Sequence, residues 1–180
     1  MKRYLLFTII IITGWAAQAN TLRTIDSVPA QQKDVESPDA IIAALYDVIS
    51  GGPGVPRNWD RMRTLFNPSA SMIPSGKKQD GAPHSRFISV EEYIKVVGPQ
   101  LEKSGFFEQE IGRATHRFGN MMQVFSAYDS RRNVTDKQPF LRGVNSIQLW
   151  NDGKRWWIMN IFWQSETPDT PIPEQFLKKE

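Results

Sequence analysis

The chain has 180 residues and no cysteine, with 22 lysines and arginines against 19 acidic residues, six tryptophans and ten phenylalanines. That length suits one domain with a core of its own rather than two. Without cysteine the fold must close by packing alone, and a lipid-modified cysteine is excluded.

Residues 1–19 read as a secretory signal. Lys2 and Arg3 form a positive start, Tyr4 to Trp15 is an apolar run, and Ala17-Gln18-Ala19 is an A-x-A cleavage pattern. The run is about a dozen residues, short of the ~20 that a membrane-spanning helix needs. Cleavage after Ala19 makes Asn20 the mature start and the destination periplasmic or extracellular, with no membrane attachment afterwards. The signal also removes two basic residues, leaving 20 against 19 acidic. That near-neutral balance argues against nucleic acid as a partner, which calls for a basic stripe.

Residues 20–36 are polar and read as a flexible leader before a domain spanning 37–177. Ser37-Pro38-Asp39 starts a first helix: Ser37 suits the N-cap, Pro38 the first helical position, and Asp39 the positive end of the helix dipole. Ile41, Leu45 and Val48 recur at helical spacing until Gly51-Gly52-Pro53-Gly54 stops it. A second helix runs from Asn58 to Phe66. Ser69 to Ile73 is predicted as a short strand, Gly76 to Gly81 as a loop, and Arg86 to Ile88 as the returning strand. Ser89-Val90-Glu91-Glu92 has the spacing of a capping box and opens a third helix, in which Gly98-Pro99 predicts a kink or break.

After Gly105 the period changes from helical to alternating. Four strands are predicted: Phe106 to Phe118, Met121 to Arg131, Phe140 to Trp150, and Arg155 to Gln164. Gly119-Asn120 and Asn151-Asp152-Gly153 mark turns between them. An irregular tail with three prolines follows. Helices first and an antiparallel meander afterwards is an α+β arrangement. The last strand reads apolar at both parities, with Trp157, Met159, Ile161 and Trp163 on one side and Trp156, Ile158 and Phe162 on the other. A solvent-facing side would alternate to polar, so both faces are expected to be covered, one by helices and one by a second copy in a homodimer formed through the sheet.

This layout resembles the nuclear transport factor 2-like superfamily, and in particular a bacterial branch of it. The likeness is carried by Arg117-Phe118-Gly119-Asn120, Val124-Phe125-Ser126-Ala127-Tyr128, Arg142-Gly143-Val144-Asn145-Ser146, Arg155-Trp156-Trp157-Ile158 and Pro171-Ile172-Pro173, and it covers nearly all of residues 38–177. It implies three N-terminal helices packed on a curved, cone-like antiparallel sheet. It leaves activity open, because the superfamily holds isomerases, dehydratases, epoxide hydrolases, polyketide cyclases and non-catalytic binding domains. Isomerase-like and cyclase-like members usually carry an acidic residue on the strand after the second helix. Asn67-Pro68-Ser69-Ala70-Ser71-Met72-Ile73 has none.

Two readings of function follow. In the first, the domain binds a small apolar or amphipathic ligand in an apolar pocket between helices and sheet, with Trp59, Arg142, Asn145 and Trp163 as candidate ligand-binding residues. Arg142 has a plainer use as a cross-strand partner of Asp129 or Glu110. In the second, the domain is a lyase or isomerase in which His116 works with Tyr128 or Asp129 as an acid–base pair across neighbouring strands. Against it stands the ordinary alternative of a hydrogen-bonded surface or core histidine. No cofactor is implied: nucleotide-binding and nucleophile-elbow motifs are absent. Two histidines without cysteine or ligand spacing imply no metal.

Overall fold

The computed structural model describes residues 28–178, so the signal reading of residues 1–19 lies outside the described residues. A four-residue helix α1 (Gln32–Val35) precedes α2 (Pro38–Ile49) and α3 (Trp59–Leu65). Strands β1 (Phe66–Lys77), β2 (Pro83–Ser85) and β3 (Ile88–Ser89) lead into α4 (Val90–Ser104). Then come β4 (Phe107–Phe118), β5 (Met121–Arg131), β6 (Leu141–Asn151) and β7 (Trp156–Ser165).

The predicted helix starts hold because each has a side chain ready for an orphan backbone donor. Ser37 accepts from the Ala40 N–H at 3.0 Å, Asn58 from Arg61 at 2.9 Å, and Ser89 from Glu92 at 3.1 Å. The structure differs from the sequence reading at several places, among them the single predicted returning strand Arg86–Ile88, which is found as the two short strands β2 and β3. The end of the segment read as leader forms α1, where Val35 joins the core and Asp34 is held by Arg61 at 2.7 Å. Helix α4 continues through Pro99 without ending. Gly98 lies against Trp59, where a Cβ would come within 2.9 Å of the indole. And β1 runs well past the predicted Ser69–Ile73, because it pairs with β7 at Phe66 and again from Ser71 to Ser75, and with β2 over its last residues.

The sheet order is β2-β1-β7-β6-β5-β4, with β3 also on β1. The long meander β4 to β7 is antiparallel throughout, but β1 lies parallel to β7, so the curved sheet is mixed and not wholly antiparallel as expected. Its inner face packs on the helices. Ile147, Ile158, Leu65, Met62 and Val124 have no exposed surface there, and each such side chain contributes about 1.5–3 kcal/mol relative to an exposed one.

A bulge explains why β7 reads apolar at both parities. Leu149 pairs with Ile158 but Gln148 pairs with Asn160, so the alternation skips a residue at Met159. Trp156 and Ile158 before the skip, and Ile161 after it, all belong to the core, with Trp163 packed against them. The outer face is covered partly from within the chain. After β7 the tail crosses it: Ile172 is buried, Phe176 stacks on Phe125 at 4.8 Å, and Lys178 accepts from the Arg113 N–H at 2.9 Å. Gly112 makes this passage possible, since a Cβ there would sit 2.5 Å from the Leu177 backbone.

Candidate functional site

A cavity of about 190 Å³ lies between the helices and the inner face of the sheet. Its walls are mostly apolar: Leu45 and Ile49 of α2, Met62 of α3, Met72 of β1, Val97 and Leu101 of α4, then Phe106, Leu141, Ile161 and Trp163. Four polar side chains enter it, Tyr93, Glu108, Tyr128 and Asn145. The strand after the second helix contributes Met72, in keeping with its lack of a carboxylate. The acid comes instead from β4.

Glu108 faces inward because it stands opposite Ser130 on β5, and directly opposed residues share a face. The Ser130 hydroxyl donates to its carboxylate at 2.9 Å. Burial pushes the Glu108 carboxyl up to about 7, and the nearby charge of Asp129 acts in the same direction; hydrogen bonds from Ser130 and Asn145 pull the other way without cancelling it. No cation among the described residues pairs with Glu108. Around it, burial and the Glu108 charge raise all three phenols that face it, Tyr46, Tyr93 and Tyr128, with Tyr128 reaching about 12.

Asn145 is oriented by a chain of hydrogen bonds whose direction can be worked out from its far end. The Arg113 guanidinium grips the Glu110 carboxylate, with Nη2 at 2.6 Å, which keeps Glu110 an acceptor. The Ser126 hydroxyl donates to Glu110 at 2.5 Å. Its oxygen must then accept from Tyr46, 2.6 Å away. With its proton spent on Ser126, the Tyr46 oxygen accepts from Asn145 Nδ2 at 3.0 Å. The amide nitrogen of Asn145, not its oxygen, is therefore turned toward Tyr46. Tyr93 is different. It is 8% exposed and meets Trp163 edge-on at 6.3 Å, and its hydroxyl has no hydrogen-bond partner among the described residues. Tyr128 owes its place to Gly143, where a Cβ would lie 2.5 Å from the phenol oxygen.

The structure separates the residues picked from sequence. Asn145, Trp163 and Tyr128 line the cavity. Trp59 does not: it is wedged between α3 and α4, donating to Glu102 at 3.0 Å. Arg142 pairs with Glu166 at 3.1 Å and stands opposite Asp129. Asp129, next to inward-facing Tyr128, is turned to the outer side, where Arg131 holds it. His116 is exposed near the end of β4. Its neighbour Thr115 pairs with core residue Val124, so alternation directs His116 to the outer face, opposite Gln123. Tyr128 pairs with Glu110, six positions further along β4 and roughly 20 Å away at the strand rise. The imidazole is out of reach of both proposed partners.

Glu108 was missed in sequence because it sits in a strongly polar stretch, Glu108-Gln109-Glu110, that alternation alone does not orient. Only its parity with Phe106 hints at an inward direction. A second, larger groove of about 480 Å³ opens beside the N-terminus of α2. Its charged groups already satisfy one another, since Arg113 holds both Glu110 and Asp39. Among the described residues no cluster of three or more His, Cys, Asp or Glu could hold a metal ion.

No protein-family model and no curated protein matches the chain. Among solved structures it is similar to a protein of unknown function with a cystatin-like fold from Nostoc punctiforme PCC 73102. That match has 8% identity and a TM-score of 0.56, covering 78% of this chain and 97% of that one. A protein from Kribbella flavida matches at 9% identity and TM-score 0.50, over 71% of this chain and 86% of that one. An NTF2-like superfamily protein from Salmonella enterica serovar Typhimurium LT2 matches at 15% identity and TM-score 0.49, over 73% and 87%. The likeness shows the fold alone, helices over one face of a curved sheet, as in the cystatin-like fold of the Nostoc protein. Such a fold leaves a concavity, and here its depth is where Glu108 stands.

Proposed function

We propose that this chain is a small-molecule-binding protein whose ligand enters the cavity between helices and sheet, with Glu108 as its polar anchor. The supporting observation is the carboxyl itself. An acid set among apolar walls with no counter-ion costs free energy that packing alone would not select, and such a group in a pocket marks a functional site. The test is methyl NMR of Met62 and Met72, with the Trp163 indole as a third reporter, during titration with neutral apolar probes such as benzene and benzyl alcohol. Shifts confined to these signals support the reading. Silence from all three at millimolar probe overturns it.

A second reading is favoured by the same carboxyl. Titrating near neutrality beside the Tyr128 and Tyr93 hydroxyls, Glu108 is suited to carry a proton between two positions of a bound substrate, as an isomerase or lyase requires. In that case turnover would be lost in Glu108→Gln and kept in His116→Ala; equal loss in both would sink it.

Export and dimerisation complete the proposal. The N-terminal pattern supports a periplasmic or secreted protein starting at Asn20, which N-terminal sequencing of that fraction checks. An apolar row crosses the sheet through paired Phe118, Met121 and Trp150, all exposed, with Phe162 exposed on β7. Such a surface suits a second copy of the chain. Light scattering at micromolar concentration should give twice the monomer mass, and a monomer would mean that the tail covers enough of the outer face.

A further inference from the structure

We infer that the ligand class of this cavity is a compact hydrophobic amine, bound as its ammonium ion against Glu108 with its hydrocarbon body among Met62, Met72 and Trp163. This rests on the reading of the cavity as a small-molecule site and goes beyond it by fixing the charge of the ligand.

Two hydrogen-bond donors already reach the carboxylate. Ser130 donates to it, and the relay from Glu110 through Ser126 and Tyr46 turns the Asn145 amide so that its nitrogen also approaches Glu108. Both neighbours are donors, so both favour the ionised form. Yet the ionised form has no cation in the cavity, and an unpaired buried charge is costly. Protonation relieves that cost in the empty protein. A cationic ligand relieves it better, because the donors then stay matched and the charge gains a partner.

The remaining lining suits an ammonium. The unpartnered Tyr93 hydroxyl offers an oxygen to a further N–H. Tyr93, Tyr128, Phe106 and Trp163 bring aromatic rings to the same cavity, and ring faces attract cations when water is excluded. An anionic ligand has nothing to meet, since no lysine, arginine or histidine lines the walls. The volume, about 190 Å³, suits a compact guest.

The groups facing Glu108 are Tyr46 from α2, Tyr93 from α4 and Tyr128 from β5, with Asp129 behind on the outer side and held by Arg131. The phenols all titrate well above neutrality, so Glu108 alone sets the pH response there. An amine needs the carboxylate and must bind more tightly as pH rises. A neutral carbonyl or hydroxyl compound gains from the protonated acid and follows the opposite trend.

The experiment compares benzylamine with benzyl alcohol on the native chain, by calorimetry at pH 6 and pH 8. The amine should bind at least tenfold more tightly than the alcohol at pH 8. Its affinity should fall roughly tenfold at pH 6, as the ionised fraction of an acid titrating near 7 drops. Glu108→Gln, checked for its fold by methyl NMR of Met62 and Met72, should erase both the preference and the pH trend. If the alcohol binds as well as the amine, if amine affinity rises toward pH 6, or if the preference survives in Glu108→Gln, the amine assignment is wrong and the cavity reading stands. If neither compound binds, both fall together.

Discussion

Glu108 and His116 stand eight residues apart on one strand, and β4 takes them into two different solvents. At the Glu108 end the strand is roofed by α2 and α4, so the carboxyl loses water without gaining a cation and is pushed up to about 7. At the His116 end the strand runs out toward the turn at Gly119, where Phe118 is 81% exposed and the imidazole faces outward. A histidine is intrinsically the better proton carrier near neutrality. Placement outweighs that advantage, because a group becomes a site residue through the walls around it. The bulge between Glu110 and Gly112 separates the two ends, letting Glu110 and Arg113 meet on the same side.

The comparison breaks most visibly in packing. Ile158→Ala, beneath the roofed region and with no exposed surface, should cost about 2–5 kcal/mol in chemical denaturation. Phe118→Ala at the open end should stay within about 0.5 kcal/mol in the monomer, at high dilution. A loss that grows at micromolar concentration would mean that the turn end is buried in the working assembly, as dimerisation through the outer face requires.

A smaller effect sharpens the electrostatic half. The folded-state pKa of Glu108 is raised, so between the ordinary carboxylate range and about 7 the folded chain holds a proton that the unfolded chain has released. Stability must then fall as pH rises through that window, by roughly 3 kcal/mol in all. In Glu108→Gln this part of the pH dependence should vanish. A wild-type curve rising steadily from pH 5 to 7, with the same slope in the variant, would show that Glu108 is not the group responsible.

The relay is next in size. Tyr46→Phe leaves Asn145 and Ser126 each short of a partner, which should cost about 1–3 kcal/mol. It also frees the Asn145 amide to turn, weakening a hydrogen bond that favours the carboxylate. Carboxyl carbon NMR of Glu108 should therefore show its pKa rising in the variant. An unmoved pKa with reduced stability would make Tyr46 a packing residue only. The least effect belongs to His116→Ala, which should alter stability by no more than about 0.5 kcal/mol and leave cavity binding untouched.

Much of the frame was legible from local chemistry. Ser37, Asn58 and Ser89 announce helices because a capping oxygen acts within three residues, and Gly119 and Gly153 mark turns because their positive φ suits glycine. The change from helical to alternating period after Gly105 is local too, and with the family resemblance it led to the α+β arrangement of helices on a curved sheet, to which the structure adds the short α1. The structure places Asn145, Tyr128 and Trp163 on the cavity wall.

The rest of the site depends on register. A single skipped residue at Met159 turns both parities of β7 toward the core, and another in β4 re-aims everything beyond Glu110. Neither bulge leaves a mark in composition, because a bulge is a property of two strands paired together. Glu108 became a site for the same reason. Its neighbours in sequence are polar and ordinary, and its near-neutral carboxyl comes from Ser130, Asn145 and three tyrosines that reach it from other elements. Desolvation is set by what folds over a residue, and that is long-range information by nature.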